Sequence, residues 1–146
     1  MNFQDCTIPL NLNDLVWGST HFKWGDVLYC PRWDVCPAPT DEQIRNITRT
    51  ISKLEIISQF FDLPIKITNA IRPKVYNGLI SGAPESAHLS GQAIDFVVVG
   101  MSCDDVRAFL ESRLDGLGIR MEYNPGSDWV HIDTKMPGAT GRYFRP

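Results

Sequence analysis

The sequence predicts an α+β fold, with two main helices beside a small, largely antiparallel sheet. Apolar residues recur at helical spacing after Thr40, Ser102 is a cap for a second helix, and four short apolar or alternating stretches are typical of strands. The last two stretches flank "NPGS", a turn sequence that indicates a hairpin. A length of 146 residues suits a single core, so we predict one domain over residues 1–146.

Residues 1–39 are rich in aromatic residues and proline, and we expect an irregular lead-in that packs on a core at residues 40–135. His21 lies in this segment without an acidic or histidine partner in helical or strand register. We therefore interpret it as a half-buried packing residue.

The first main helix is predicted over residues 41–61. Thr40 and Gln43 form a capping-box pattern at its start, and Pro64 stops it. One face carries the apolar residues that we assign to the core: Ile44, Ile47, Ile51, Leu54, Ile57 and Phe61. The stretch "PIKIT" that follows is predicted to be a strand with Ile65 and Ile67 facing inward.

The remaining elements follow in order. A loop carries Arg72, a short turn or helix covers residues 75–80, and "SGAPES" is a loop. "QAIDFVVV" is the most strand-like stretch, with Asp95 on the opposite face from its buried neighbours. Ser102 caps a second helix that runs to about residue 114 and ends in "DGLG". "IRMEY" and "WVHID" form the hairpin strands.

The composition excludes several classes of protein. A formal net charge of −3 gives no basic surface for nucleic acid. No apolar run approaches the roughly 20 residues of a transmembrane helix. The four cysteines, at positions 6, 30, 36 and 103, include no CxxC pair, which disfavours a closed structural zinc site. We expect free thiols rather than a disulfide between Cys30 and Cys36.

Three polar residues in or beside predicted strands require a partner. Asp95 lies in the middle of its strand, His131 lies in the last strand, and His88 precedes Asp95 by seven residues. An unpaired buried carboxylate is costly, and two imidazoles with one carboxylate are typical of a catalytic zinc site. On spacing alone an alternative stays open, in which Asp95 pairs with Arg72, His131 is a hydrogen-bonded sheet residue and His88 lies in a loop.

Asp128 and Arg72 are the candidates for the remaining chemistry. Asp128 lies three residues before His131 at the mouth of the predicted hairpin, where a carboxylate that is not a ligand can take a proton from water. Arg72 follows the strand "IKIT" and presents a planar donor fork to a carboxylate or an oxyanion.

The order of these residues resembles the zinc D-alanyl-D-alanine peptidases and L-alanyl-D-glutamate endopeptidases of bacteria and phages. This family includes vancomycin-resistance peptidases and phage endolysins. Its signature S-x-H-x-x-G-x-A-x-D matches Ser86, His88, Gly91, Ala93 and Asp95 without a gap, and "DWVH" matches the downstream element. In the upstream element, S-G-Y-R-S followed by an asparagine, Arg72 and Asn77 match, whereas Asn69, Ala70, Ile71 and Pro73 depart from the pattern.

The resemblance covers roughly residues 40–135 and implies a hedgehog/DD-peptidase-like fold. It implies Zn²⁺ on His88, Asp95 and His131, and Asp128 as catalytic base. It also implies Arg72 as an electrostatic clamp, with substrate contacts from Arg72, Asn77 and Ser86. Glu122 is the rival base, because related short members place a glutamate at the end of the preceding strand. Asp133 and His21 are interpreted as structural.

The expected function is zinc-dependent hydrolysis of peptide bonds in peptidoglycan stem peptides, as a D,D-carboxypeptidase or as an endolysin-type endopeptidase. The alternatives are a non-catalytic metal-binding module of the same fold, structural or virion-associated, and a metal-free binding domain. Asp128 and Arg72 favour the enzyme, because a purely structural site needs neither a base nor a clamp.

The expected location follows from the first residues of the chain. They lack the basic and apolar regions of a signal peptide, so we expect synthesis in the cytoplasm. We then expect a cytoplasmic dipeptidase, a virion-associated enzyme, or a phage-encoded lysin that a holin releases to the cell wall. The oligomeric state stays open.

Overall fold

The computed structural model describes residues 10–80 and 85–145. Its helices are α1 (Trp24–Leu28), α2 (Asp41–Ser58), α3 (Lys74–Leu79), α4 (Cys103–Leu110) and α5 (Leu114–Leu117). Its strands are β1 (Ile65–Asn69), β2 (Ala93–Val98), β3 (Arg120–Glu122), β4 (Val130–Asp133) and β5 (Tyr143–Phe144). Short 3₁₀ helices cover Pro31–Trp33, Ala87–Ser90 and Glu111–Arg113.

The strands form one sheet in the order β1-β2-β4-β3-β5, in which β3 and β5 pair in parallel and every other neighbouring pair is antiparallel. The predicted α+β class with a small, largely antiparallel sheet is therefore confirmed. The predicted hairpin is β3–β4, and its turn is closed by a hydrogen bond from the Ser127 N–H to the Asn124 carbonyl (3.2 Å), with Gly126 at φ +81°.

The two faces of the sheet have different chemistry because side chains alternate along each strand. One face is apolar and fully buried, and it carries Ile94, Phe96, Val98, Met121, Val130 and Ile132. The apolar side of α2 joins the same core, as predicted, with Ile44, Ile47, Ile51, Leu54 and Ile57 fully buried. The opposite face of the central strands carries Asp95 and His131, and the candidate site is built there.

Helix α2 begins as predicted and ends earlier. The Thr40 hydroxyl accepts from the Gln43 N–H (3.1 Å), and the Gln43 amide oxygen accepts from the Thr40 N–H (2.9 Å), which completes the capping box. The last helical residue is Ser58 rather than residue 61. The reason is packing, since Phe60 and Phe61 turn toward Phe109, with ring centroids 5.6 and 5.0 Å away.

The second predicted helix is three short segments. The Ser102 hydroxyl caps α4 by accepting from the Asp105 N–H (3.1 Å), as predicted. The α-helix then tightens to a 3₁₀ turn, and the Arg113 guanidinium donates to the Phe109 carbonyl. α5 follows, and Gly118, which has φ +69°, caps its C-terminal end.

Strand β5 is missing from the sequence-based prediction. Two residues are too few for a period of two to be recognised. The strand exists because β3 offers a free edge, along which residues 143–144 pair in parallel. The Tyr123 N–H, directly after β3, donates to the Phe144 carbonyl (2.7 Å).

The predicted lead-in is more ordered than expected over its described residues. It contains α1, and Phe22, Trp24, Val27 and Leu28 belong to the main core. The prediction that His21 is a half-buried packing residue is wrong. Its side chain is 62% exposed, and its Nδ1 lies 2.7 Å from a carboxylate oxygen of Glu55 on α2. That acidic partner is 34 residues away, so no local register revealed it.

Cys30, Cys36 and Cys103 are free thiols, whereas Cys6 and residues 81–84 of the predicted "SGAPES" loop lie outside the described residues. Among the described helices, none is both long enough and apolar enough to span a bilayer.

Candidate metal centre

Three elements bring His88, Asp95 and His131 together. Asp95 on β2 lies directly opposite His131 on β4 in the antiparallel register, so both side chains project from the same face of the sheet. His88 comes from the 3₁₀ helix Ala87–Ser90, which Ser86 caps by accepting from the His88 N–H (3.3 Å). The side chains of the three residues are 4%, 12% and 10% exposed, respectively, so all three are nearly buried.

The donor atoms of these residues converge on one point. Nε2 of His88 lies 3.2 Å, and Nδ1 of His131 lies 2.8 Å, from the same carboxylate oxygen of Asp95. One ligand atom from each residue lies within 4.8 Å of the other two. The direct partners of Asp95 are therefore the two imidazoles. The alternative pairing with Arg72 is not the one that the structure forms.

The outer nitrogen of each imidazole is fixed by an acceptor. Nδ1 of His88 lies 2.6 Å from the carbonyl oxygen of Ala70, and Nε2 of His131 lies 3.0 Å from a carboxylate oxygen of Asp133. Since both partners only accept, both outer nitrogens donate. In its neutral form each ring then points the lone pair of its inner nitrogen at the Asp95 carboxylate, so positive charge is taken up between them, either as a proton on an inner nitrogen or as a bound cation.

The electrostatics of the cluster also favour positive charge beside Asp95. Burial alone would raise the pKa of Asp95, but the charge of His88 and hydrogen bonds with His131 and His88 hold it well below its usual range. Burial would lower the pKa of His131, yet hydrogen bonds to Asp133 and Asp95 raise it to about 9. The site therefore keeps a carboxylate ionised and favours positive charge beside it.

The donor set fits zinc. Two imidazole nitrogens and one carboxylate oxygen are borderline-soft ligands, and three protein ligands leave a fourth tetrahedral position for another molecule. The Ala70 carbonyl and the Asp133 carboxylate, which accept from the outer nitrogens, are the kind of hydrogen-bond partners that zinc-binding histidines normally have.

Arg72 lies beside the cluster. Its backbone N–H donates to the His88 carbonyl (3.0 Å), and its guanidinium donates to the Asn77 side-chain oxygen (2.8 Å). Burial lowers the pKa of Arg72 while attraction to Asp95 opposes that shift, so its charge is felt at the cluster. In the structure, Asn77 holds Arg72 and Ser86 caps the turn that carries His88. Their predicted substrate contacts stay predictions.

The two candidate bases occupy different positions. Asp128 is exposed in the hairpin loop, defined here as residues 123–129, and lines a cavity of about 350 Å³ with Val97 and the start of α4. Val97 follows Asp95 by two residues and so shares its face of β2. Glu122 is the next residue of β3 after the pairs Arg120↔Asp133 and Met121↔Ile132, which places it opposite His131. The choice between them stays a prediction.

Sequence reasoning missed how His131 is supported. Asp133 is predicted to be structural, and its fully buried carboxylate accepts from His131 (3.0 Å) and from the guanidinium of Arg120, at 2.7 and 2.8 Å. Arg120 in turn stacks over the Phe144 ring, 4.0 Å from its centroid. The alternation of the last strand was a usable signal, because it places Asp133 on the face of His131.

A comparison with models of protein families shows which family the chain belongs to. The model of the peptidase M15 family matches residues 30–133, which is most of the chain and includes every residue of the cluster. The chain belongs to the M15 peptidase family. The resemblance inferred from the two motifs is thereby confirmed. The match also begins inside the predicted lead-in, ten residues before the predicted start of the core.

Curated relatives share only a segment with this M15 chain. The probable peptidoglycan L,D-endopeptidase MepK of Haemophilus influenzae is 38% identical over 68 residues, which is 46% of this chain and 33% of that protein. The peptidoglycan L,D-endopeptidase MepK of Escherichia coli is 43% identical over 53 residues, or 36% of this chain and 27% of that protein. The matches thus span a third or less of the length of these relatives.

Among solved structures, the L-Ala D-Glu endopeptidase ChiX of Serratia marcescens aligns with a TM-score of 0.45 and 17% identity, covering 66% of this chain and 89% of that one.

Proposed function

We propose that this chain is a zinc-dependent endopeptidase that hydrolyses peptide bonds in the stem peptides of bacterial peptidoglycan. The observation that carries the proposal is the convergence of two imidazole nitrogens, His88 Nε2 and His131 Nδ1, on one oxygen of Asp95, with both outer nitrogens committed as donors. The substrate class comes from the relatives named above, both of which are described as peptidoglycan endopeptidases. Their description favours an endopeptidase over a D,D-carboxypeptidase.

His88, Asp95 and His131 would hold the zinc. A zinc ion bound there would supply Lewis-acid chemistry, which would polarise the scissile carbonyl and lower the pKa of a water molecule. The chain's own residues supply the rest of the chemistry. Asp128 accepts the proton of the attacking water and returns it to the departing amide nitrogen. Arg72, held by Asn77, donates to the substrate oxygen on which negative charge develops.

The test measures metal content and peptide cleavage on the same purified chain. We expect about one zinc per chain, retained by the parent protein and lost by His131→Ala. Muropeptides released from purified peptidoglycan should be cut inside the stem, which mass spectrometry distinguishes from removal of a terminal D-alanine. A chain that binds zinc but cleaves no stem peptide would contradict the proposal and favour the non-catalytic module.

Asp128 and Glu122 form a matched pair for assigning the base. Asp128→Asn keeps the size of the side chain and removes its basicity, so we expect normal zinc content and a loss of about 100-fold or more in kcat. Glu122→Gln removes a carboxylate from the neighbouring strand and should be milder. The reverse result would assign the base to Glu122.

A further inference from the structure

Arg107 on α4 is a buried arginine that lies outside the metal cluster. Its side chain is 3% exposed. A buried guanidinium is costly unless its donors are satisfied, so its partners indicate what it does. Nη1 donates to the Ser127 hydroxyl (3.1 Å) and to the Trp129 carbonyl (2.8 Å). Nη2 donates to the Asp104 carboxylate (2.6 Å) and to the Ser127 carbonyl (3.4 Å).

These contacts enclose Asp128 on both sides. Ser127 and Trp129, the residues immediately before and after it, both accept from Arg107. The same Asp104 oxygen that accepts from Arg107 also accepts from the Gly126 N–H (3.0 Å). Helix α4 therefore holds Gly126, Ser127 and Trp129, on both sides of the candidate base, while the Asp128 side chain itself remains exposed.

We propose that Arg107, together with Asp104, is a positioning residue that fixes the hairpin loop so that Asp128 meets the reacting water. The proposal rests on the proposed function, in which Asp128 is the base. The planar guanidinium suits this task because its donors leave in fixed directions and reach two carbonyls and a hydroxyl at once. The loop closes its own turn with a hydrogen bond from the Ser127 N–H to the Asn124 carbonyl (3.2 Å), and Arg107 ties that turn to α4.

The pattern of contacts distinguishes this task from simple support of the core. Apart from Asp104 on its own helix, every polar contact of Arg107 within the described residues goes to the hairpin loop. Arg113, at the other end of the same helical region, shows the alternative. Its guanidinium lies 3.8 Å from the centroid of the Phe109 ring and donates to the Phe109 carbonyl, so it supports packing only.

The first experiment compares Arg107→Met with Arg113→Met in the zinc-loaded enzyme. Both lose a half-buried or buried cation and both should unfold at lower temperature. We expect Arg107→Met to lower kcat at least tenfold with KM changed less than threefold, because a base misplaced by about 1 Å can cost 100-fold in rate. Arg113→Met should keep kcat. Equal kcat in the two variants at matched zinc content would overturn the proposal.

The second experiment guards against an Arg107 variant that does not fold. Asp104→Asn weakens the contact to the Gly126 N–H from an exposed position, and Asp105→Asn is its control. Both remove one negative charge from the first turn of α4, but the Asp105 side chain makes no hydrogen bond to the hairpin loop in the part of the chain that the structure describes. We expect kcat to fall several-fold in Asp104→Asn only. Equal effects in both would overturn the proposal.

A double-mutant cycle separates this proposal from the proposed function. If Arg107 acts through Asp128, adding Arg107→Met to Asp128→Asn should lower the residual rate by less than twofold. The same factor in both backgrounds would mean that Arg107 acts elsewhere. If Asp128→Asn alone keeps full activity, the assignment of Asp128 as the base fails. If Asp128→Asn is inactive but Arg107→Met is fully active, only the positioning role of Arg107 fails.

Discussion

At the scale of single residues, the site depends on which nitrogen of each histidine carries the proton. His88 and His131 use opposite nitrogens toward the cluster, Nε2 and Nδ1, because their acceptors lie on opposite sides of the rings. A backbone carbonyl fixes His88, and the Asp133 carboxylate fixes His131. The backbone carbonyl of Ala70 cannot be removed by mutation, so the effect of these acceptors on the position of the proton is tested at Asp133.

Asp133→Asn should weaken zinc binding by about 10- to 100-fold, the usual cost of losing an outer-shell partner. An asparagine has one acceptor oxygen, so its amide NH₂ must face either His131 or Arg120, both of which donate. Zinc affinity measured by competition with a chelator checks this. Asp115→Asn is the control, since Asp115 also accepts from an arginine, Arg142, but at an exposed site (2.8 Å). An unchanged affinity in Asp133→Asn would contradict the role given to Asp133.

At the scale of elements, α2 shapes the turn that carries His88. Three polar side chains of the helix donate to successive carbonyls of that turn: Gln43 to Leu89 (2.8 Å), Asn46 to Ser90 (2.9 Å) and Thr50 to Gly91 (3.2 Å). The approach is so close that a Cβ on Gly91 would lie 2.6 Å from the Gln43 carbonyl oxygen, and Gly91 has φ +79°. The glycine of the H-x-x-G motif is thus required by the contact with α2.

Gly91→Ala should lower the free energy of unfolding by about 2–5 kcal/mol, through the left-handed backbone and the collision with helix backbone together. Urea denaturation measures this. Gly18→Ala is the control, because Gly18 has φ +78° with nothing within 4 Å of its Cβ position. It should cost only the backbone part, about 1–2 kcal/mol. Equal costs in the two variants would show that the contact with α2 contributes nothing.

At the scale of the whole molecule, Glu55 joins the N-terminal segment to the rest of the fold. Its carboxylate accepts from the Ser19 hydroxyl, from the N–H groups of Thr20 and His21 (2.9 and 2.8 Å), and contacts the His21 ring. Burial alone would raise the pKa of Glu55, but the hydrogen bonds from Ser19 and His21 lower it to about 2. The ionised form is therefore the one that holds the segment.

Glu55→Gln should destabilise the fold at neutral pH by an amount on the order of 2 kcal/mol. Because the pKa of Glu55 is lower in the folded state, its ionised carboxylate stabilises the fold above the unfolded pKa of about 4.5. This stabilisation is lost as the pH falls toward 2. The difference between parent and variant should therefore shrink from pH 5 to pH 2.5, and comparing the two proteins cancels the groups that they share. Glu42→Gln, at an exposed position on the same helix, is the control. A difference that stays constant with pH would contradict this account.

Much of the fold could be predicted from the sequence, because the features concerned are local. The caps at Thr40 and Ser102 act over three residues, the Ile face of α2 repeats with the helical period, and the hairpin turn lies within four residues. The positions of Asp95 and His131 could be named for a related reason, whereas His88, in a 3₁₀ helix, is named from its place in the motif that ends at Asp95. In a strand that buries one face, apolar residues alternate with the residues of the other face, so a polar residue on that other face can be recognised from the sequence.

The features that only the tertiary structure decided join residues far apart in the chain. They are the pairing of Glu55 with His21, the contacts of Gln43, Asn46 and Thr50 with the His88 turn, the support of His131 by Asp133 and Arg120, and the hold of Arg107 on the hairpin loop. Periodicity specifies which face of an element is apolar. It does not specify which elements become neighbours, and the partner of a buried polar group depends on that arrangement.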